Sequence, residues 1–336
     1  MSVDNELRTA LERIADPATG NGLIASGRAA APRVADGVAT VVLSVDGLSG
    51  GDIIRLEGEI RAAAKALGLA EARIIRTAER GAGPRLIAVA SGKGGVGKST
   101  VAANLAVGLA RLGMKAGLID ADIHGPSVPT LLGTGTERPH AVDKKIIPMR
   151  AHGISALSVG MMVDADRAIA WRGPMVAGAL NQMLVDADWR GVDPIVLDMP
   201  PGTGDIQLTL IQKHKPVGAV IVSTPQDLAL IDARRGIDLF QKTNVPIIGL
   251  VENMSGYACP HCGEVSDPFG SGTVEETCAK LGVPFLGRVP LHIDIRQASD
   301  GGVPPVLGEG PQAEAFLAIA QQVAAALDHM ELSSRT

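Results

Sequence analysis

Aromatic residues are scarce in this chain of 336 residues, which has four phenylalanines, two tryptophans and one tyrosine. Proteins that bind single-stranded nucleic acid without sequence preference stack the bases on aromatic side chains. The composition therefore argues against that class of binding protein. Hydrophobic residues still make up 46% of the sequence, so the core must be built mainly from alanine, valine, leucine and isoleucine.

Long apolar segments and an excess of positive charge are also missing. No stretch approaches the roughly 18 uninterrupted apolar residues that a membrane-spanning helix needs. The first residues, MSVDNELRTALERI, are polar and acidic, without the apolar centre of a signal peptide. A formal net charge of -5 gives no general attraction to nucleic acid or to an anionic membrane. We therefore expect a cytoplasmic protein with no nucleic-acid partner and no membrane partner.

Cysteine is rare as well, with three residues in the whole chain. Three cysteines do not make a disulfide framework, and in a reducing compartment a close pair is more often metal-binding or redox-active. Cys259 and Cys262 form such a pair in the segment GYACPHCGE. This pair is the first candidate for a chemical function.

The chain is about twice as long as a common domain, which favours two domains. Hydrophobic spacing predicts four elements in the first part: a helix over 4–15, a strand over 38–45, a helix over 51–69 and a strand over 72–78. These elements indicate a small α+β domain over residues 1–78. Residues 79–84, ERGAGP, contain glycine, proline and charge without periodicity, so they predict a linker to a second domain over residues 85–336.

The second domain alternates short apolar runs with longer helical segments. The runs are RLIAVAS, KAGLIDAD, ISALSVG, DPIVLDMP, GAVIVSTP, PIIGLVENM and PFLGRVP. Continuous apolar strands are typical of a parallel sheet covered by helices on both faces, so the predicted fold class is a doubly wound, mostly parallel α/β sheet. Ligands bind beyond the carboxyl ends of such strands. The polar residues at these ends are Ser91, Asp120, Asp122, Asp198 and Asn253.

A phosphate-binding loop lies between the first of these strands and the helix that follows it. The loop has the pattern G-x-x-x-x-G-K-[ST], in which the glycines let backbone N–H groups converge on phosphate oxygens. The residues predicted to bind nucleotide here are Gly92, Lys93, Gly94, Gly95, Val96, Gly97, Lys98, Ser99 and Thr100. We expect Lys98 to pair with the β- and γ-phosphates of ATP and Ser99 to bind Mg²⁺. Lys93 is a second lysine that the general pattern does not require.

Acidic residues follow two other strands of the predicted sheet. Asp198, in VLDMPPGTGD, is placed to hold the hydration shell of Mg²⁺. Asp120 and Asp122, in LIDADIHGPS, end another strand beside the nucleotide. A carboxylate at Asp122 can orient the attacking water, because ATP hydrolysis depends on positioning more than on covalent chemistry. A solvated turn is the alternative interpretation of Asp122.

The C-x-x-C pair supplies only two ligands, whereas tetrahedral zinc or a cubane iron–sulfur cluster takes four. Another ligand must come from this chain, or a second chain must supply another pair. Cys278 lies on the predicted helix TVEETCAKLG at a spacing that suits a buried face, so we expect it in the core. His261, between the paired cysteines, is expected to face solvent.

Four segments in order, KGGVGKST, LIDADIHGPSVPTLLG, LDMPPGTGD and CPHCG, resemble those of the Mrp/ApbC-type iron–sulfur cluster carrier ATPases. This group is related to MinD and ParA and has a deviant phosphate loop. The resemblance implies that Lys93 reaches the phosphates of the partner subunit in an ATP-bound homodimer, and that Asn253 contacts the adenine base. It also implies a 4Fe-4S cluster that bridges two subunits through Cys259 and Cys262, with zinc as the chemical alternative.

The resemblance implies an ATP-hydrolysing carrier that takes a cluster from scaffold proteins and transfers it to apo iron–sulfur proteins. Residues 1–78 resemble, more weakly, a small iron–sulfur-assembly domain, but they contain no cysteine and are expected to dock partners. Two alternatives stay open. A MinD/ParA-like positioning ATPase needs a basic amphipathic helix or a basic DNA-binding patch, and in the C-terminal segment QAEAFLAIAQQVAAALDHMELSSRT the one lysine or arginine is Arg335. An ATP-dependent reductase would use the cluster for electron transfer.

Overall fold

The computed structural model describes residues 3–45, 48–77, 83–123, 125–135, 137–142, 145–162, 173–259, 261–262, 264–270 and 272–334. The chain divides into two compact units, Met1–Gly83 and Pro84–Thr336. Most of the predicted linker, residues 79–82, lies outside the described residues. Among the helices that are described, none is long and apolar enough to span a membrane.

The first unit is a three-stranded sheet with two helices. Its elements are α1 (Val3–Glu12), β1 (Ala29–Ala35), β2 (Val38–Ser44), α2 (Gly50–Ala66) and β3 (Glu71–Thr77). The strand order is β1-β2-β3, with β1 antiparallel and β3 parallel to β2. Side chains of both helices and of β2 form its core: Leu7, Leu11, Val41, Leu43, Leu56 and Ile60 are buried. The Ser49 hydroxyl accepts a hydrogen bond from the Asp52 N–H and so caps α2.

Strand β1 is an element that hydrophobic periodicity did not predict. Its sequence, AAAPRVA, is rich in alanine and contains a proline, and both residue types are depleted in strands. The strand lies at the edge of the sheet, where a proline is tolerated because no neighbour needs its N–H. Its pairing register with β2 shifts between Ala30 and Arg33. Pairing with β2 therefore overrides the low intrinsic preference of this segment.

The second unit contains a nine-stranded sheet within the described residues. Its strands are β4 (Leu86–Ala90), β5 (Gly117–Asp120), β8 (Met149–Ala151), β9 (Ile154–Ser158), β10 (Ile195–Asp198), β11 (Gly218–Ser223), β12 (Ile247–Ala258), β13 (Val265–Ser266) and β14 (Phe285–Leu291). The order is β13-β12-β11-β4-β10-β5-β9-β8, and β14 also pairs with β12. Of these nine strands, β8 and β13 pair antiparallel with their neighbours. The prediction of a mostly parallel sheet is confirmed.

Helices cover both faces of this sheet. They are α3 (Lys98–Arg111), α4 (Val128–Leu131), α5 (Val159–Met162), α6 (Gly173–Asn181), α7 (Asp205–His214), α8 (Asp227–Lys242), α9 (Thr273–Leu281), α10 (Ile293–Asp300) and α11 (Pro311–Ser334). Two hydrophobic cores result, one on each face, and five of the strands, β4, β5, β9, β10 and β11, are buried along their whole length. A short hairpin, β6 (Ala141–Val142) and β7 (Lys145–Ile146), and a π-helix, Gln182–Asp186, are further elements that the sequence did not predict.

Parallel pairing brings the polar strand ends to one edge of the sheet. In register, Asp198 on β10 pairs with Asp120 on β5 and with Val89 on β4. The phosphate loop begins shortly beyond Val89, so these carboxylates and the loop share the same edge. Asn253 on β12 lies beyond the end of β11, whose last residue, Ser223, pairs with Glu252.

Candidate functional site

The phosphate loop joins the end of β4 to the start of α3. Gly95 and Gly97 adopt φ angles of 82° and 80°, which side chains rarely tolerate, so glycine is required at both positions. A Cβ atom at Gly97 would also collide with the side-chain amide of Asn253. At Gly92 a Cβ atom would collide with the backbone of Asp232 on α8. The loop is therefore enclosed on two sides by neighbouring elements.

A cavity of about 230 Å³ lies in front of this loop. Residues that line it are Ser91, Lys93, Gly94, Gly95, Gly97, Lys98, Ser99, Thr100, Asp122, Ser127 and Pro201. It combines two lysines, several hydroxyl groups and the amino end of a 14-residue helix. Such an arrangement suits the phosphates of a nucleotide, because cations and helix-terminal N–H groups both favour negative charge. Gly92 and Val96, two predicted nucleotide-binding residues, lie outside the lining set.

Lys98 is buried and forms an ion pair with Asp198, which is fully buried. The Lys98 ammonium also lies 3.3 Å from the Ser99 hydroxyl. Burial raises the pKa of Asp198, and the positive charge of Lys98 opposes that rise. The second carboxylate oxygen, Asp198 Oδ2, accepts no hydrogen bond of normal geometry from any described residue.

These residues fit a magnesium ion. Mg²⁺ prefers oxygen ligands and retains several waters, so one or two carboxylates or hydroxyls and the substrate phosphates usually suffice. The Ser99 hydroxyl and the unsatisfied oxygen of Asp198 are oxygen donors of that kind. We therefore retain them as the residues that would hold Mg²⁺, directly or through water.

Asp120 does not line the cavity. Its carboxylate accepts hydrogen bonds from the N–H of Asp122 at 3.0 Å, the N–H of Val128 at 3.3 Å and the hydroxyl of Ser158 at 3.0 Å. Burial and the nearby charge of Asp198 raise the pKa of Asp120 to about 7. The carboxylate therefore holds both ends of the loop that carries Asp122 and Ser127. Binding of nucleotide by Asp120 itself stays a prediction.

Some residues of the cavity lining lie outside the first turn of α3, among them Lys93, Asp122 and Ser127. Lys93 forms no ion pair with any described residue, and its carbonyl oxygen accepts a hydrogen bond from the Ser91 hydroxyl at 2.9 Å. Ser127 was not predicted. The signal that could have found it is its place just before α4, in the same short loop as Asp122. The catalytic roles of Lys93, Lys98 and Asp122 stay predictions.

Asn253 contacts the backbone of the phosphate loop and is not among the residues that line the cavity. Its Nδ2 donates to the Val96 carbonyl at 2.8 Å, and the residue is 7% exposed. The contact with adenine that was predicted for Asn253 is not tested by this arrangement. What the fold adds is a direct hydrogen bond between β12 and the loop.

The paired cysteines lie in a hairpin at the end of β12. Tyr257 and Ala258 pair with Ser266 and Val265 of β13, and the Cys259 N–H donates to the Glu264 carbonyl at 2.9 Å. Cys262 is exposed and Cys259 is half-buried.

Two backbone N–H groups, those of His261 and Cys262, donate toward the Cys259 thiol and lower its pKa. A lower pKa favours the thiolate, which is the form that binds metals. His261 is exposed, as predicted. Gly263, which directly follows Cys262, lies outside the described residues.

Cys278 is buried on α9 against the core of one sheet face. Burial, together with the charges of Glu252 and Glu275, raises its pKa to about 11. The described residues contain no cluster of three or more His, Cys, Asp or Glu side chains able to hold a metal ion. A third and fourth ligand for the Cys259 and Cys262 pair is therefore not found within the described part of this chain.

A family description matches most of the second unit. The description is ParA, NUBPL iron-transfer P-loop NTPase, and it covers residues 84–324. The chain belongs to this family. The family assignment confirms the resemblance that the four sequence segments indicated.

Two curated relatives illustrate how closely NUBPL-type NTPases match this chain. The iron-sulfur cluster carrier protein of Escherichia coli K12 is 51% identical over 240 residues, which are 71% of this chain and 64% of that protein. The iron-sulfur protein required for NADH dehydrogenase of Arabidopsis thaliana mitochondria is 49% identical over 248 residues, 73% of this chain and 79% of that protein. The match thus spans just under two thirds of the E. coli relative.

A solved structure of a nucleotide-binding protein from Archaeoglobus fulgidus, in complex with ADP and with cobalt, has a similar fold. It is 38% identical, with a TM-score of 0.60, over 69% of this chain and 91% of that protein. The predicted fold class of a P-loop NTPase is therefore confirmed by a related protein as well as by the sheet topology.

Proposed function

We propose that this NUBPL-type NTPase is an ATP-hydrolysing carrier that holds a 4Fe-4S cluster and transfers it to apo-proteins. The observation that carries the proposal is the presence, in one folded unit, of a phosphate loop with a buried Lys98–Asp198 pair and an exposed two-cysteine hairpin. The names of the E. coli and Arabidopsis relatives support the iron–sulfur cargo. The ADP-bound relative supports the nucleotide.

In the proposed ATPase reaction, the loop N–H groups and Lys98 bind the phosphates of ATP. Mg²⁺, held by Ser99 and Asp198, would neutralise charge that develops on the phosphates. Asp122 orients the attacking water, and Asp120 keeps Asp122 in place through the hydrogen bond to its N–H. Lys93, which has no ion-pair partner among the described residues, supplies an additional cation to the phosphates of a second subunit.

The cargo site requires two chains under this proposal. A 4Fe-4S cluster takes four cysteine thiolates, and each chain offers two, the half-buried Cys259 and the exposed Cys262. A homodimer completes the ligand set with one cluster between the subunits. The thiols are free, which suits a reducing compartment, so we place the carrier in the cytoplasm. Cluster scaffold proteins and apo iron–sulfur proteins are its proposed partners.

A positioning ATPase of the MinD/ParA type is the weaker alternative. The C-terminal helix α11 contains no lysine or arginine within Pro311–Ser334, so it lacks the basic face that binds an anionic membrane. An ATP-dependent reductase would share the same sites. Cluster transfer to an apo-protein, measured against electron transfer to a redox partner, separates the carrier from the reductase.

The experiment that tests the carrier function is anaerobic reconstitution of the purified protein with iron and sulfide. We expect about four iron atoms and about four sulfides per dimer, because each iron takes one cysteine thiolate. Iron bound to a stable monomer would contradict the shared site. Zinc retained after strictly anaerobic iron loading would favour a structural metal site over a carrier.

A further inference from the structure

One strand, β12, contacts the phosphate loop and also carries the cysteine hairpin. The Asn253 amide donates to the Val96 carbonyl, and Cys259 follows six residues later on the same stretch of chain. The contact is buried, since Asn253 is 7% exposed. The backbone of the phosphate loop is therefore hydrogen-bonded directly to β12, the strand that leads to the cysteines.

The geometry of a peptide bond makes this contact sensitive to phosphate. In a planar trans peptide, the C=O of one residue and the N–H of the next point in opposite directions. Asn253 holds the Val96 carbonyl, so the Gly97 N–H in the same peptide points away from Asn253. Gly97 lines the nucleotide cavity, whereas Asn253 does not. A phosphate bound to the Gly97 N–H would therefore contact the same peptide plane that the Asn253 amide holds through the Val96 carbonyl.

The neighbouring residue Glu252 fixes β12 next to this contact. Its carboxylate is fully buried and accepts hydrogen bonds from the Ser255 hydroxyl at 2.6 Å, the Val274 N–H at 3.1 Å and Arg288 Nε at 3.2 Å. Arg288 lies directly opposite Glu252 on β14. These bonds tie β12 to β14 and to the start of α9, so the strand is held immediately before Asn253.

The segment after Asn253 is irregular. Met254 has a φ of 58° and Gly256 a φ of 70°, and the pairing register with β14 shifts between Asn253 and Tyr257. A bulge of this kind bends a strand and redirects the residues beyond it. On the far side of the bulge, Tyr257 pairs with β13 and begins the hairpin that holds Cys259 and Cys262.

We propose that Asn253 is a positioning residue that aligns the Val96–Gly97 peptide for phosphate binding and, through the bulge of β12, links the phosphate loop to the cysteine hairpin. This inference rests on the proposed function, which supplies the nucleotide at one site and the cluster at the other. It assigns to Asn253 a role that acts through the loop backbone, in addition to any contact with the base.

The test uses the full-length, metal-free, reduced protein, with and without saturating Mg-ADP. Alkylation rates of Cys259 and Cys262 by iodoacetamide are read by peptide mass spectrometry, and ADP affinity is measured by titration. In the unmodified protein we expect ADP to change the alkylation rate of the pair by about fivefold or more, the lower range of measured site-to-site coupling. In Asn253→Ala the ratio of the alkylation rates with and without ADP should approach one. ADP affinity should fall by about tenfold at most, because one hydrogen bond is lost.

Gln322→Ala is the matched control. The Gln322 side-chain amide also donates to a backbone carbonyl, that of Leu286 on β14, at 2.7 Å, but Gln322 does not line the nucleotide cavity. Gln322→Ala should keep the same ratio of alkylation rates with and without ADP as the unmodified protein. Asn253→Leu preserves the side-chain volume without the donor, and it decides the result if Asn253→Ala does not fold by circular dichroism.

Two results would overturn the proposal. The first is an Asn253 variant that, when saturated with ADP, shows the same ratio of alkylation rates as the unmodified protein. The second is an unmodified protein whose alkylation rates are the same with and without ADP. Failure of the carrier function gives a different result. A chain that takes up no iron but shows the Asn253-dependent ratio would overturn only the carrier function. A chain that does not bind ADP would overturn both.

Discussion

Lys98 and Asp198, one hundred residues apart in the sequence, form a buried ion pair where α3 begins and β10 ends. Adjacent parallel pairing of β4 with β10 creates this contact, because both strands end at the same edge of the sheet. Two buried charges that neutralise each other hold a binding site ready for the phosphates. The loss of one partner leaves the other buried and unpaired, which is costly.

Lys98→Ala should abolish ATP hydrolysis, because the loop backbone alone cannot neutralise the triphosphate. It should also lower the free energy of unfolding by about 3 kcal/mol, since Asp198 is left buried without its cation. Phosphate release and urea unfolding measure the two effects. The double variant Lys98→Met, Asp198→Asn should recover much of the stability and none of the activity. Unchanged ATP turnover in Lys98→Ala would refute the nucleotide site.

Lys93→Ala should leave ATP binding within a modest factor and suppress hydrolysis, because we assign its ammonium to the phosphates of the second subunit. Titration with nucleotide measures binding to the single subunit, and steady-state phosphate release measures hydrolysis. Mixing Lys93→Ala with Lys98→Ala subunits sharpens the test. Each mixed dimer has one site with its own Lys98 and the partner's Lys93 in place and one site with neither, so the mixture should regain part of the activity that both single variants lack. A mixture that stays inactive would contradict the assignment of Lys93 to the second subunit. Outright loss of ATP affinity in Lys93→Ala would make Lys93 a contact within its own chain.

The sequence predicted the parts of the site that have a fixed local spacing. The phosphate loop from Gly92 to Ser99 and the C-x-x-C pair are contiguous motifs, and the apolar runs between them identify the parallel sheet. Asp198 was found because it ends such a run. In the phosphate loop and the cysteine pair the residues lie close together in sequence, so inspection of the chain is enough. Asp198 lies one hundred residues from Lys98, and only its place at the end of an apolar run indicates it.

The rest depends on contacts between distant segments. Asn253 reaches the Val96 carbonyl across 157 positions, and Asp120 binds Val128 and Ser158 through a carboxylate that does not line the cavity. Spacing cannot indicate which way a carboxylate turns at the end of a strand. The edge strand β1 was missed for a similar reason, since pairing with β2, and not its own composition, makes it a strand.

Cys278 should be nearly inert toward iodoacetamide in the folded, metal-free protein. Burial raises its pKa to about 11, so at pH 8 roughly a thousandth of it is thiolate. Cys259, whose pKa is lowered by two backbone N–H groups, should react much faster. Peptide mass spectrometry of a time course at pH 8 measures all three sites at once. In guanidinium chloride the difference between Cys278 and Cys259 should vanish, and its persistence there would refute burial as the cause.

Residues 84–336 alone should fold and bind ATP. Both hydrophobic cores of the large sheet lie within the second unit, and the core of the first unit is a separate cluster. The truncated chain should unfold cooperatively in urea and retain nucleotide affinity, as followed by near-ultraviolet circular dichroism and titration with ADP. An insoluble or molten product would place the domain boundary elsewhere.

The three cysteines should separate into two classes when they are replaced one at a time and the protein is reconstituted anaerobically. Cys259→Ala and Cys262→Ala should each lose the cluster, because a homodimer then offers two thiolates where four are required. Cys278→Ala should retain about four irons per dimer, since Cys278 is buried on α9 and serves the core. All three variants should still bind ATP, because the phosphate loop is a separate element. Iron content and the visible absorption of the cluster measure the outcome, and a cluster that is lost in Cys278→Ala while the variant stays folded would overturn the bridging site.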